Sequence, residues 1–232
     1  MSKFKQIAFD TVMRNPLRIT DILEVISEFE SKIMDKANIM DIMCLFYRKQ
    51  LISSNSFIVD ENTNDDFLRE KIIEVNSTRN AESGFPRGYP TRLFNYTKSA
   101  CELGFLYLRF NEKLRISKTT KYFLDNKINT RELFMISCCI HNRKNPFRKV
   151  LNDFNFFEFV FKILKLRERL SYNQFIIVTY SRDGNVSEML EILNNNTFGD
   201  ENDVENYVRE NFSETNKFKT FTKDYPDAVR RM

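Results

Sequence analysis

The tightest constraint on the fold lies in one stretch, "GFPRGYPTRLFNYTKSACELGFLYLRFNEKLRIS", residues 84–117. Pro90 and Thr91 suit a helix start, because proline is tolerated in the first turn and threonine is a capping residue. Leu93, Tyr96, Thr97, Ala100, Cys101 and Leu103 then form roughly one face, with Arg92, Asn95, Lys98, Ser99 and Glu102 largely on the other. Gly104 stands where a helix needs a left-handed C-terminal residue. "FLYLRF" has strand character, "NEK" is a turn and "LRIS" can return as a second strand. Ser117 caps a further helix, "KTTKYFL".

A helix, a tight turn and a hairpin in that order form the closing half of a winged helix-turn-helix. In that fold the helix before the hairpin enters the DNA major groove and the hairpin is the wing. Protein-binding winged helices use the same scaffold, so the pattern alone leaves both partners open. Apolar residues at helical spacing predict three helices upstream, over 19–33 with Thr20 or Asp21 as cap, 35–51 and about 65–76. Residues 77–88 read as a connector. Downstream, helical patterns cover 130–140, 153–170, 171–180 and 186–193. "DYPDAVRRM" at the end repeats the logic of "GYPTRLFNY": Tyr-Pro, a cap-type residue, then a helical start with arginine. The expected architecture is therefore mainly α with small β-hairpin wings, a tandem winged helix-turn-helix. Residues 1–128 form the first subdomain and 129–232 a second helical, winged-helix-like one. Because the sequence stops at Met232 before a glycine cap or a wing, the second unit is expected to continue in a longer chain, the alternative being a frayed natural terminus.

Charge points to a partner. Net charge is only +4, but between Gly84 and Tyr122 eight basic residues face Glu102 and Glu112, a local excess of +6 that leaves −2 for the rest. Positive charge gathered on one unit is the footprint of polyanion binding, or else a solvated basic face. Residues 183–214 carry nine carboxylates against Arg209 and should point away from phosphates. The candidate DNA-binding residues are Arg87 and Tyr89 in the loop that aims the helix; Thr91, Arg92, Asn95, Tyr96 and Lys98 on it; Lys113 and Arg115 in the wing; and Lys118 after it. Arginine and lysine suit guanine, and asparagine suits adenine. Tyr89, Tyr96 and Tyr107 interleave with basic residues, as DNA contacts or as half-buried core.

Other classes find less support. No apolar run approaches the ~18 residues of a membrane span, and the N-terminus lacks a signal-peptide core. The four cysteines form neither a disulfide framework nor a zinc ribbon, which predicts a reduced, cytoplasmic protein. Asp21, Glu30 and Lys32 imitate a nuclease Asp…Glu-x-Lys signature, but on the predicted helix Glu30 and Lys32 do not share a face. His141, beside Cys138 and Cys139, is the only histidine, too few ligands for zinc. No catalytic or metal-binding residue is assigned.

Three blocks, "MRNPLRITDILEVISEFESK" (13–32), residues 84–117 above and "NPFRKVLNDFNFFEFVFKILKL" (145–166), together resemble the N-terminal part of the AlwI-type restriction endonucleases and related nicking endonucleases. The resemblance implies a Type IIS enzyme. Such a protein recognises a short asymmetric site in double-stranded DNA with an N-terminal winged-helix module and cuts a few base pairs away with a separate Mg²⁺-dependent nuclease domain. On this view the chain is the recognition module, holds no cofactor itself, and works with a C-terminal nuclease domain or a partner nuclease subunit that binds Mg²⁺. The alternatives are a non-catalytic winged-helix regulator and a complete nuclease with an unrecognised site.

Overall fold

The computed structural model describes residues 15–60, 62–77, 88–140 and 154–211. They fall into two compact units, Asn15–Leu133 and a second from Phe134 onward. Both are mainly helical, and the first carries one small antiparallel hairpin.

The first unit opens with α1 (Pro16–Ser27), three residues earlier than the apolar pattern predicts. Asn15 is the true cap, its side chain accepting from the Leu17 amide at 3.0 Å, and the proline at the first helical position is pre-set for the turn. Thr20 and Asp21, expected as caps, sit inside the helix. The expected run to residue 33 also fails: α1 stops at Ser27 and Ser31 turns left-handed, φ 69°. The freed residues 31–34 become an edge of the hairpin instead.

α2 (Lys36–Arg48) is capped by Asp35, whose carboxylate accepts from the Asn38 amide, and it buries seven side chains, Phe46 among them. α3 (Asp65–Ser77) docks through Leu68 and Ile72, both fully buried. The Arg69–Asp41 ion pair at 2.6 Å ties α3 to α2, but both groups are about 40% exposed, so it contributes little beside the burial.

α4 (Tyr89–Glu102) packs against α1, α2 and α3 and against the first strand of the hairpin. Its cap is Gly88 at φ 89°, without a side-chain hydrogen bond, so Thr91 lies in the first turn rather than at the cap. Four neighbours bury an arc wider than half the helix. That is why Ser99 and Glu102, expected on the polar face, are buried. Gly104, at φ 76°, ends the helix as expected, and the Phe105 amide reaches back to the Ala100 carbonyl at 2.9 Å.

The hairpin is β1 (Leu106–Tyr107) and β2 (Arg115–Ile116), paired antiparallel with Tyr107 opposite Arg115. Residues 31–34 add a third edge. The Ser31 amide donates to the Leu114 carbonyl, Leu114 to Lys32, Met34 to Glu112 and Asn111 to Met34, all at 2.9–3.0 Å. Side chains alternate across such a ribbon. Leu106, Leu108, Leu114 and Met34 are buried on the inner side, whereas Ile33, Lys113 and Arg115 are exposed and Tyr107 half-buried on the outer. α5 (Lys118–Leu124) follows, capped by Ser117, and α6 (Thr130–Ile140) leads out of the unit.

In the second unit α7 (Phe156–Arg167) is shorter than the predicted 153–170. Asn155 caps it, and Glu168 at φ 64° ends it. α8 (Tyr172–Val178) starts in a reciprocal Ser171–Gln174 capping box. α9 (Val186–Asn195) runs two residues beyond expectation, and α10 (Glu201–Asn211) forms in the acidic stretch, where the sequence pattern predicts no helix. α7 contacts α9 and α8 contacts α10 around Phe156, Phe159, Ile163, Ile177, Leu193 and Val208. No strand occurs among this unit's described residues, and the "DYPDAVRRM" repeat lies outside them. No helix among the described residues is long and apolar enough to cross a membrane.

Candidate nucleic-acid interface

α4 presents a narrow outer strip. Asn95 and Lys98 are exposed on it, while Tyr89, Thr91, Arg92 and Tyr96 are half-buried at its margin. Arg92 is oriented along the helix by its neighbour four residues on. Its Nε donates to the Tyr96 hydroxyl at 2.9 Å, and its guanidinium lies 5.5 Å from the ring centroid. Tyr89 points elsewhere: its hydroxyl donates to the Lys36 carbonyl at 3.1 Å. That bond fastens the start of α4 to the start of α2, so Tyr89 positions the helix. Burial, with the Asp35 charge behind it, raises the phenol's pKa.

The outer face of the hairpin is the second cationic surface. Arg115 lies 4.7 Å and Arg109 5.3 Å from the Tyr107 ring centroid, and the Tyr107 hydroxyl donates to Glu112 Oε2 at 2.7 Å. That hydrogen bond to a carboxylate, together with burial, raises the Tyr107 pKa. Lys113 is exposed and bridges to Ile33. Lys118, exposed at the start of α5, lies 5.6 Å from the Tyr122 ring. Arg87 lies outside the described residues.

The fold adds two lysines that the sequence pattern did not single out for binding. The Lys32 carbonyl accepts from Leu114 in the hairpin, and Lys36 opens α2 beside Tyr89; both side chains are exposed. No local pattern marks them, because their place depends on pairing with residues far along the chain.

The imitation nuclease signature dissolves. Glu30 and Lys32 lie beyond the end of α1, not on a helix as predicted. Glu30 pairs with Lys121 Nζ at 2.7 Å, and Lys32 sits 4.3 Å from the Phe29 ring centroid. Among the described residues no three or more His, Cys, Asp or Glu side chains form a group that could hold a metal ion. His141 lies outside the described residues. The neighbouring Cys138 and Cys139 carbonyls accept from Asn155 Nδ2 at 3.0 and 2.7 Å, a splice between α6 and α7. Burial pushes the Cys138 thiol up to about 11.

A mainly helical protein with a basic helix strip and a basic hairpin has the surface chemistry of proteins that act on polyanions. Residues 101–232 match the AlwI restriction endonuclease family, and the chain belongs to that family. No curated protein matches the chain. The match begins in the last turn of α4, takes in the whole hairpin and runs through the second unit. Membership places the chain with the nucleases of restriction-modification, hydrolases whose substrate is DNA.

Proposed function

We propose that Asn15–Leu133 is a winged helix-turn-helix that recognises a short asymmetric site in double-stranded DNA for a Type IIS restriction or nicking endonuclease. The supporting observation is the pairing of residues 31–34 with the hairpin that directly follows α4. It yields the order helix, edge strand, helix, helix, recognition helix, hairpin around a single core. α4 is the element for the major groove, which admits a helix and exposes distinct donor and acceptor patterns for each base pair. Arg92, Asn95 and Lys98 read bases, with Thr91 and Tyr96 at the margin. Lys113, Arg115 and Lys118, joined by Lys32 and Lys36, hold phosphates. Tyr89 sets the angle of the helix, with Arg87 beside it in the chain.

On this reading Mg²⁺-dependent cleavage belongs to residues outside the described ones, in a C-terminal nuclease domain or a partner nuclease subunit. The chain alone, incubated with Mg²⁺ and duplex DNA, is expected not to cut. Cleavage that persists through purification and disappears in Asp21→Ala would reverse that assignment.

The deciding experiment selects random duplexes on the purified chain and then compares Asn95→Ala with the wild type on the selected and on random DNA. Loss of a base contact costs ~1–3 kcal/mol on the selected site. Random DNA should be bound as before, since asparagine carries no charge. An unchanged ratio of the two affinities would remove α4 from base reading.

A further inference from the structure

We infer that Tyr107 is a positioning residue that holds the Arg115 guanidinium ready for a DNA phosphate; the inference rests on the DNA-recognition reading above. Tyr107 and Arg115 face each other in the strand register, so their side chains leave the same side of the ribbon. The guanidinium lies over the ring at 4.7 Å, inside the roughly 6 Å range of a cation–π contact. Arg109, two residues further along the chain, approaches the same ring at 5.3 Å.

The hydroxyl has a separate task. Glu112 is the only carboxylate between Phe105 and Ser117, and Tyr107 binds its Oε2 at 2.7 Å. A carboxylate loose on this hairpin would pair with an arginine and repel an incoming phosphate. Held by the phenol, it is kept to one place. The ring thus serves as a platform for the cation while its oxygen ties down the competing anion. An arginine already resting on a ring loses less rotamer freedom on binding, and its planar fork suits a phosphate. Tyr107 need not touch DNA to matter.

The test uses the full chain and duplex DNA titrated at several salt concentrations. Arg115→Ala should weaken specific and random duplex alike and flatten the slope of log K against log salt by ~0.9. Tyr107→Leu keeps an apolar side chain against the ribbon but removes the ring and the hydroxyl. It should weaken both duplexes roughly two- to fivefold, the range of an exposed cation–π contact. With Glu112→Gln present throughout, so that no carboxylate is released, Tyr107→Leu should cost less in an Arg115→Ala background than with Arg115 in place, because the ring acts chiefly through that arginine. Tyr107→Phe frees Glu112 and should weaken binding, and Glu112→Gln added to it should restore it. Thermal midpoints measured in parallel separate these effects from loss of fold, which would not reproduce the non-additivity or the rescue. Wild-type affinity in Tyr107→Leu, or an equal loss with and without Arg115, would overturn the inference while leaving DNA recognition intact. A wild-type chain with no salt-dependent duplex binding would overturn both.

Discussion

Two glycines show how much a single residue can be constrained. Gly104 and Gly184 both sit at positive φ, 76° and 74°. A Cβ on Gly104 would meet nothing within 4 Å, whereas one on Gly184 would stand 2.6 Å from Phe154 Cδ2. Gly104→Ala should therefore cost only the backbone strain, about 1–2 kcal/mol. Gly184→Ala should cost more, because the Phe154 ring must also move. Urea midpoints rank the two, and equal losses would mean that the ring yields freely. Cys101 offers a pH-dependent case. It is buried, and burial pushes its thiol from the ordinary 9.0 up to about 12. Between those values the unfolded thiol ionises while the folded one stays protonated, so the stability it contributes is lost as pH rises. The midpoint of wild type should fall from pH 9 towards 12 more steeply than that of Cys101→Ala. In the native protein at about pH 8, a maleimide should label exposed Cys139 before buried Cys44 or Cys101.

Among the elements, α5 depends on a small knot of hydrogen bonds. The Ser117 hydroxyl accepts from the Thr120 amide at 3.1 Å, and the Ser117 amide and Thr120 hydroxyl both donate to the Phe105 carbonyl at 2.9 Å. Ser117→Ala should cost ~1 kcal/mol in a denaturation experiment, the usual worth of a helix cap, and a neutral result would mean that the Phe105 links suffice. This element was legible because its cap, its length and the preceding hairpin are all local. So were α6, the ending of α4 at Gly104 and α2, apart from the expected run to Leu51, which stops at Arg48. α10 was locally legible too, in Asp200 and Asp203 with Val204 and Val208, but an acidic composition hid a thin apolar stripe. The start of α1 was written in Asn15-Pro16 and overridden by a stronger apolar run. The burial of Ser99 and Glu102 was not legible, because their polarity says exposed and four packed neighbours say otherwise. Of the strip expected at Arg92, Asn95 and Lys98, spacing finds the exposed Asn95 and Lys98, whereas Arg92 is half-buried at the margin and engaged with Tyr96. Lys32 and Lys36 could not be found that way.

For the molecule as a whole, the segregation of charge is the property most open to measurement. Basic residues gather at 84–122 and carboxylates at 183–214. If the basic segment meets DNA phosphates, affinity for any duplex should fall steeply between about 50 and 200 mM salt, by ~0.9 in slope for each phosphate neutralised. Affinity that stays level over that range would assign the charge to solvation. The same unit has a second property, set by the pairing of residues 31–34 with 111–114. Those contacts close a loop that contains α2, α3 and α4, and loop closure must be met before such distant pairing can stabilise anything. The ribbon's third edge should thus be a late event in folding, formed on a helical core already collapsed. Mutations there should chiefly speed unfolding rather than slow folding, and the first amides to lose protection in the native state should be Ser31 and Met34, while Phe46 remains closed.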